Sequence, residues 1–290
     1  MNRTSLSGMS SGNMKKSTRH TGSLILKILI MASAVITFAV LLFLIAYILI
    51  KGVPNLKLSL FDFKYTSENV SMLPAIINTV TMTLMALLIA VPLGVFSAIY
   101  LVEYAKKGNR FVEVIRLTTE TLSGIPSIVY GLFGMLFFVT ALKWGYSLIA
   151  GAFTRAIMVR PSIMRTTEEA LKAVPDSYRE GSFGLGAGKL RTVFTIVLPA
   201  AVPGILAGII LAVGRIVGET AALIYTAGTV AQIPSNVFGS GRTLAVHMYN
   251  LSSEGLHMNE SYATAVVLLL LVVGINSLSG LVAKKLSSVD

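Results

Sequence analysis

Apolar residues in this chain come in long uninterrupted runs, and polar residues are confined to the stretches between them. Ile28–Ile50, Leu73–Val102, Thr121–Leu142 and Ser261–Ala283 contain no charged residue. Thr192–Gly214 is a fifth such run and continues past Arg215 to about residue 226. Trp144–Met164 is a weaker sixth, because Arg155, Arg160 and Pro161 interrupt it. About 20 apolar residues cross a bilayer as a helix. In lipid every backbone amide must be paired internally, so runs of this kind are helices rather than strands. The pattern predicts an all-α, polytopic membrane protein with six transmembrane helices, at about 28–50, 73–102, 121–142, 144–164, 192–226 and 261–283. They form one transmembrane domain over 23–290, behind a Ser-, Gly-, Asn- and Lys-rich tail, 1–22, too polar to pack and expected to be disordered. Pro92, Pro126, Pro161, Pro199 and Pro203 lie within the spans or in their first turns. Proline removes a backbone donor and kinks a helix interior, which suits a path that opens alternately and a rigid bundle equally well.

Composition narrows the class. At 54% hydrophobic and only 13% charged residues, a soluble fold is excluded. A net charge of +11 would suggest nucleic acid in a soluble protein, but here the distribution of charge assigns topology instead. Arg3, Lys15, Lys16 and Arg19, then Lys106, Lys107, Arg110 and Arg116, fall on one side of a six-span path. Arg165, Lys172, Arg179, Lys189, Arg191, Lys284 and Lys285 fall on the same side, against Lys51, Lys57, Lys64, Lys143 and Arg242 on the other. The positive-inside rule then puts both termini in the cytoplasm, with no role for nucleic acid. Ile28–Ile50 is longer than the apolar core of a signal peptide and no small-x-small cleavage site follows it, so it is read as a retained first span. The chain has no cysteine, which excludes disulfides and thiolate metal sites. The longest outer stretch, about 229–260, contains Thr243–Tyr249, too short and too polar to span and expected to form a short interfacial or re-entrant helix. His247 and His257 lack a third ligand at metal spacing and read as surface or interface histidines.

No catalytic set, cofactor motif or metal site stands out. The Gly-x-x-x-x-Gly-Lys-Ser/Thr phosphate loop is absent, so the chain is not itself an ATPase, and energy must come from a partner. The polar residues to explain are those at membrane depth, where ionisable groups are costly. Arg215 and Glu219 are i, i+4 on the fifth span and are expected to share one helix face. They either form an intrahelical ion pair that holds the bundle together, or Arg215 contacts an anion with Glu219 as its switchable counter-ion. A planar guanidinium offers paired donors that fit a phosphate-like oxyanion. Arg155 and Arg160 lie about 140° apart on a helix and cannot share a face. Arg160 is near the cytoplasmic end and can snorkel. Arg155 is near mid-span, where an arginine costs from about 2.5 to more than about 10 kcal/mol. It lines the path, pairs with an acid of a partner subunit, or weakens insertion.

The segment between the fourth and fifth spans, about 165–191, carries the most specific pattern. Glu180-Gly181-Ser182, then Gly186, then Ile196-Val197-Leu198-Pro199 match E-A-A-x3-G-x9-I-x-L-P at every spacing, with Gly181 and Ser182 as small replacements for alanine. That pattern resembles the segment by which membrane subunits of ATP-driven (ABC) importers dock onto their ATPase. Arg215–Leu223 (RIVGETAAL) is similar to the R-x-x-G-E-T-A-P-L segment of PstA-type phosphate importer permeases, and Arg165–Leu171 (RTTEEAL) to their I-R-T-T-E-E-A-L segment. Ile125–Gly134 and Val246–Leu251 resemble their third span and late outer loop. The resemblance covers roughly Met72 to the C-terminus. It implies a MetI-like ABC type I importer permease fold in a bacterial or archaeal plasma (inner) membrane. The chain would be a non-catalytic subunit forming half of a path for inorganic phosphate. The implied partners are a PstC-type permease, a PstB-type ATPase dimer and a PstS-type phosphate-binding protein. The implied path residues are Arg215, Glu219, Thr220 and Arg165; Glu180, Gly181, Ser182 and Gly186 carry ATPase coupling, on a helix around Pro175–Ala187. A permease for another oxyanion, such as phosphonate or molybdate, is the alternative; a stand-alone channel or secondary transporter would leave the docking pattern unexplained. The chain departs from the family at Ala222, where proline is usual, and at Arg155 and Arg160, where the family is apolar.

Overall fold

The computed structural model describes residues 21–106 and 108–287. Residues 1–20 of the expected tail lie outside the described residues, and Thr21 already opens the first helix. In chain order the helices are α1 (Thr21–Gly52), α2 (Leu73–Ile99), α3 (Arg110–Ser123), α4 (Ser127–Gly134), α5 (Leu148–Ala173), α6 (Asp176–Gly184), α7 (Lys189–Thr192), α8 (Leu198–Gly218), α9 (Ala221–Ile224), α10 (Leu244–Glu254) and α11 (Met258–Ser287). π-Helical turns extend α2 to Tyr104 and α4 to Ala141, and bridge α7 to α8. No strand occurs among the described residues.

The chain divides into two units, 1–47 and 48–290. The first holds most of α1, where Leu26, Ile36 and Phe43 are all exposed. A helix without a polar face has no side for water.

The second unit is a helical bundle. Met82, Ala86, Ala90, Gly94 and Ala98 recur every four residues along α2 and are all buried. Small side chains at that spacing let two helix backbones approach closely, and the partner is α5. A Cβ on Gly94 would lie 2.8 Å from Ile163 Cγ2, and one on Gly151 would lie 2.4 Å from Met82 Cε. Both pairs have the same offset along the chain, so α2 and α5 run parallel. α8 runs opposite to α5, because Gly204 meets Ala170 whereas Gly208 meets Thr166. Alternating directions are what successive membrane crossings require.

Among the described residues, four stretches are long and apolar enough to cross a membrane alone: Ser23–Asn55, Leu73–Tyr104, Lys189–Gly218 and Met258–Leu281. Arg110–Ser123 and Ser127–Ala141 make a fifth if taken together across a 103° bend. α5, 26 residues long, occupies the place of the remaining expected crossing. It extends past 164 to Ala173, so Arg165 sits on this helix and not in the docking loop.

Two expected spans need correction. Thr121–Ser123 belong to α3, and α4 starts only after Pro126, which disfavours helix at the residue before it. Tyr130 Oη donates to Leu122 O at 2.7 Å across that corner. The fifth span does not run unbroken to 226. α8 stops at Gly218, Glu219 is extended at φ −68° and ψ 129°, and α9 is a separate turn. The Glu219 carboxylate accepts the Ala222 N–H at 3.1 Å, satisfying one of the orphan amides that open a new helix. Gly131 of α4 leaves room for that turn, since a Cβ there would lie 2.7 Å from Ala222 Cα.

At the other end of the bundle from α6, the loop 229–242 is pinned to the start of α2. Asn78 Nδ2 donates to Gln232 O at 2.9 Å and to Arg242 O at 3.2 Å, and Thr79 Oγ1 accepts the Leu244 N–H at 2.8 Å. α10 is the short helix expected there, closed by Gly255 at φ 72°. His247, expected at a surface or interface, is instead wholly buried on α10, edge-on to Tyr65. Burial and the nearby Arg242 charge push its pKa down to about 3, so it is neutral at physiological pH.

Candidate functional site

Arg165 of α5 and Arg215 of α8 meet at one cavity of about 350 Å³. The corner before α4 lays α3 along the same cavity, adding Arg116 and Glu120, while α5 adds Glu168, Glu169 and Lys172. Arg165 Nε reaches Glu169 at 3.1 Å, but both side chains are well exposed, and such a pair is worth on the order of 1 kcal/mol or less. Glu168 is enclosed, with its side chain 8% exposed; it accepts from Lys172 at 2.8 Å and forms an ion pair with Arg116 at 3.3 Å. It ties α3 to the last turns of α5. Among the described residues Arg215 has no ion-pair partner. Of the three guanidiniums lining the cavity, Arg116 is held by Glu168, Arg165 is loosely held and Arg215 is free; Glu120, Glu168 and Glu169 share the wall.

Glu219 and Thr220 do not line this cavity. The expectation that Glu219 shares a face with Arg215 is corrected by the end of α8 at Gly218, which turns the carboxylate away. Glu219 is 9% exposed and its charge acts on Arg155. Thr220 Oγ1 donates to Gly218 O at 3.3 Å across the break. Arg160 is exposed and donates to Ser97 Oγ at 3.2 Å.

Arg155 is 0% exposed, and none of Nε, Nη1 and Nη2 has an acceptor among the described residues. It does not line the cavity, and its opposing charge comes from this chain's own Glu219, beyond ion-pair distance. Burying a guanidinium costs several kcal/mol unless close hydrogen bonds offset it, and here they do not. Arg155→Met is therefore expected to raise the thermal midpoint of the purified chain, by an amount equivalent to about 1–3 kcal/mol. A lower midpoint, restored by adding Glu219→Gln, would show that the pair stabilises the bundle instead.

The docking pattern folds as α6 and the turn after it. Glu180 and Gly181 are exposed, and Ser182 Oγ shares a 2.8 Å hydrogen bond with Thr192 Oγ1 at the base of the next helix. Tyr178, Phe183 and Leu185 are exposed, Leu185 at 91%. Small residues beside large exposed apolar ones suit insertion into a groove on another protein. Gly186 closes α6 at φ 83°, with its N–H on Phe183 O at 2.9 Å and the Ala187 N–H on Ser182 O at 3.1 Å. No atom lies within 4 Å of a Cβ placed there, so the constraint is backbone conformation, not space. Gly186→Val is expected to lose coupled transport, since a left-handed residue costs about 1–2 kcal/mol. Gly186→Asn should keep most of it, because asparagine tolerates that region. Equal loss in both, in an uptake assay at matched membrane levels, would remove the backbone explanation.

Arg179 was visible in the sequence only as a loop cation. Its Nε and Nη2 grip Glu103 at 3.2 and 2.7 Å, Nη1 reaches Val174 O at 2.8 Å and Asp176 Oδ1 at 3.2 Å, and Nη2 also reaches Leu171 O at 2.9 Å. The hydrogen bonds it donates to Glu103 push its pKa up, against the opposing effect of burial. The side chains are 15% and 7% exposed. One guanidinium thus joins α6 to the end of α2 and the end of α5. Neither the partner nor the burial has a local signature, because Glu103 is 76 residues away.

Residues 90–288 match the family described as "Binding-protein-dependent transport system inner membrane component". The probable ABC transporter permease protein YqgI of Bacillus subtilis (strain 168) is 37% identical over 77% of this chain and 81% of its own. The phosphate transport system permease protein PstA of Yersinia pestis is 33% identical over 86% of this chain and 88% of its own. PstA of Mycobacterium leprae (strain TN) is 34% identical over 70% and 67%. Among solved structures, an inward-facing MetNI methionine ABC transporter matches with a TM-score of 0.57 at 20% identity, over 72% of this chain and 93% of that one. A bacterial alginate ABC transporter matches with a TM-score of 0.60 at 15% identity, over 89% and 97%. At those identities the structures show the fold alone, and it is that of ABC transporter membrane subunits. By its family match and by these relatives, the chain belongs to the binding-protein-dependent transport system inner membrane components.

Proposed function

We propose that this chain is the PstA-type half of the permease of an ATP-driven inorganic phosphate importer. The observation that carries the reading is the meeting of Arg165 and Arg215 at one cavity, with Arg215 free of any ion pair among the described residues. Two converging guanidiniums suit a tetrahedral oxyanion, which each can bind through paired N–H groups. The named PstA relatives support phosphate as that oxyanion. The chain performs no chemistry. A PstC-type permease would supply the other half of the path, a PstB-type ATPase dimer would receive α6, and a PstS-type protein would deliver phosphate to the opposite side. The basic residues gathered at the α6 end favour that end, and both termini, in the cytoplasm.

Movement of α6 changes access to the cavity only if ATP-bound and ATP-free partners favour different arrangements of the bundle. The test is uptake of labelled phosphate into vesicles holding all four components, with ATP. Uptake that needs this chain, ATP and the binding protein is the expected result. Preferential uptake of molybdate or a phosphonate would reassign the substrate, and no dependence on this chain would end the proposal.

A further inference from the structure

Arg242 is 5% exposed, and neither Nε nor Nη2 has an acceptor among the described residues. Its guanidinium lies over the Tyr65 ring, 4.7 Å from the centroid. A cation–π contact engages the flat face of the group and leaves the in-plane N–H edge unpaired. The same Nε–Nη2 edge of Arg179 grips a carboxylate; among the described residues no acid plays that part for Arg242. His247, close enough to feel the Arg242 charge, carries no negative charge and cannot balance it. Buried charges in proteins are ordinarily paired, and a buried polar group without a protein partner commonly marks an ion or water site.

The side chain also lines a cavity of about 590 Å³ whose other polar residues are Lys64, Tyr65, Thr229 and Gln232, with no aspartate or glutamate among the described residues of its wall. Lys64 is exposed at its rim. The cavity lies between the segment leading into α2 and the loop following α9, at the opposite end of the bundle from α6. On the topology proposed above, that is the side from which substrate arrives. The hydrogen bonds from Asn78 to Gln232 O and Arg242 O hold the wall against α2.

We propose that this outer cavity is a receiving site for a tetrahedral oxyanion, with Arg242 as its buried cation and Lys64 as its rim, distinct from the Arg165–Arg215 cavity. Its assignment to phosphate rests on the transport reading; the anion site itself rests on Arg242. The chain has no cysteine, so Gln232→Cys gives the full-length protein, in lipid nanodiscs, a single thiol at the cavity wall. Inorganic phosphate, and sulfate as a second tetrahedral probe, should slow labelling of that thiol by a negatively charged reagent several-fold. Chloride at equal ionic strength should not. Protection should vanish with Arg242→Gln, weaken with Lys64→Gln, which alters only an exposed side chain, and persist with Arg215→Gln. Protection that survives Arg242→Gln and Lys64→Gln, or that chloride reproduces, overturns the site. The readout needs no transport, so a protein that protects the thiol but takes up no phosphate would fail the transport reading and keep this one.

Discussion

Arg179→Gln and Glu103→Gln should each lower phosphate uptake by more than roughly tenfold, with ATP hydrolysis by the complex continuing. Removing one partner of a buried, hydrogen-bonded pair costs about 3–5 kcal/mol, because the other charge is left without its match. Here the cost falls on the joint between α6 and the ends of α2 and α5. α6 would still dock, since Tyr178, Phe183 and Leu185 lie on its exposed surface, but its movement would no longer reach α2. A merely structural role would lower membrane level and hydrolysis together. A tether separates the two. Glu103→Cys with Arg179→Cys in this cysteine-free chain, joined by a flexible thiol crosslinker, should recover uptake that the unlinked pair lacks. Unchanged uptake in both glutamine variants would dismiss the joint as a transmitter.

Arg215→Lys should impair uptake nearly as much as Arg215→Gln, by roughly 10- to 100-fold, since hydrogen bonds to a charged group contribute about 1.5–3 kcal/mol. Lysine keeps the charge but is a compact, strongly hydrated ammonium without the planar fork. The structure sharpens the control. Glu219 faces away from Arg215 beyond the end of α8, so Arg215→Gln combined with Glu219→Gln should not restore transport. Recovery in that charge-free pair, measured as labelled-phosphate uptake at matched membrane levels, would make Arg215 a structural counter-ion.

Much of the architecture was legible because lipid imposes long apolar runs, and those runs are printed in the sequence. The turn after α6 was legible as well, since Gly186 marks a backbone conformation that other residues rarely adopt. What failed were decisions taken by tertiary packing. Pro126 was visible near the start of the third run, but periodicity cannot tell a kinked crossing from a corner followed by a shorter helix. The end of α8 was hidden because Ala222 replaces the usual proline, and the break depends on a Glu219 hydrogen bond and the space left by Gly131. His247 was misjudged because its burial is decided by Tyr65 and the loop before α2, far away in sequence. Arg116 was counted with the basic loop residues, and only the corner before α4 brings it to the cavity.

That corner has an electrical consequence. Residues 127–141, at 1.5 Å per residue, span on the order of 22 Å, against about 30 Å of hydrocarbon. Because α3 turns off by 103°, it adds little depth to that crossing, and its polar side chains line a hollow that Arg215 also reaches. With the α6 end in the cytoplasm, as proposed above, water in such a hollow would carry the cytoplasmic potential part of the way into the bilayer, and the membrane voltage would fall mainly across the remaining thickness. An anion drawn inward against an interior-negative potential does work of about 2.3 kcal/mol per charge per 100 mV. On the proposed path the total is fixed by the voltage, but the hollow would compress most of it into the short step that ends at Arg215, where a small, forceful displacement of the helices would meet it.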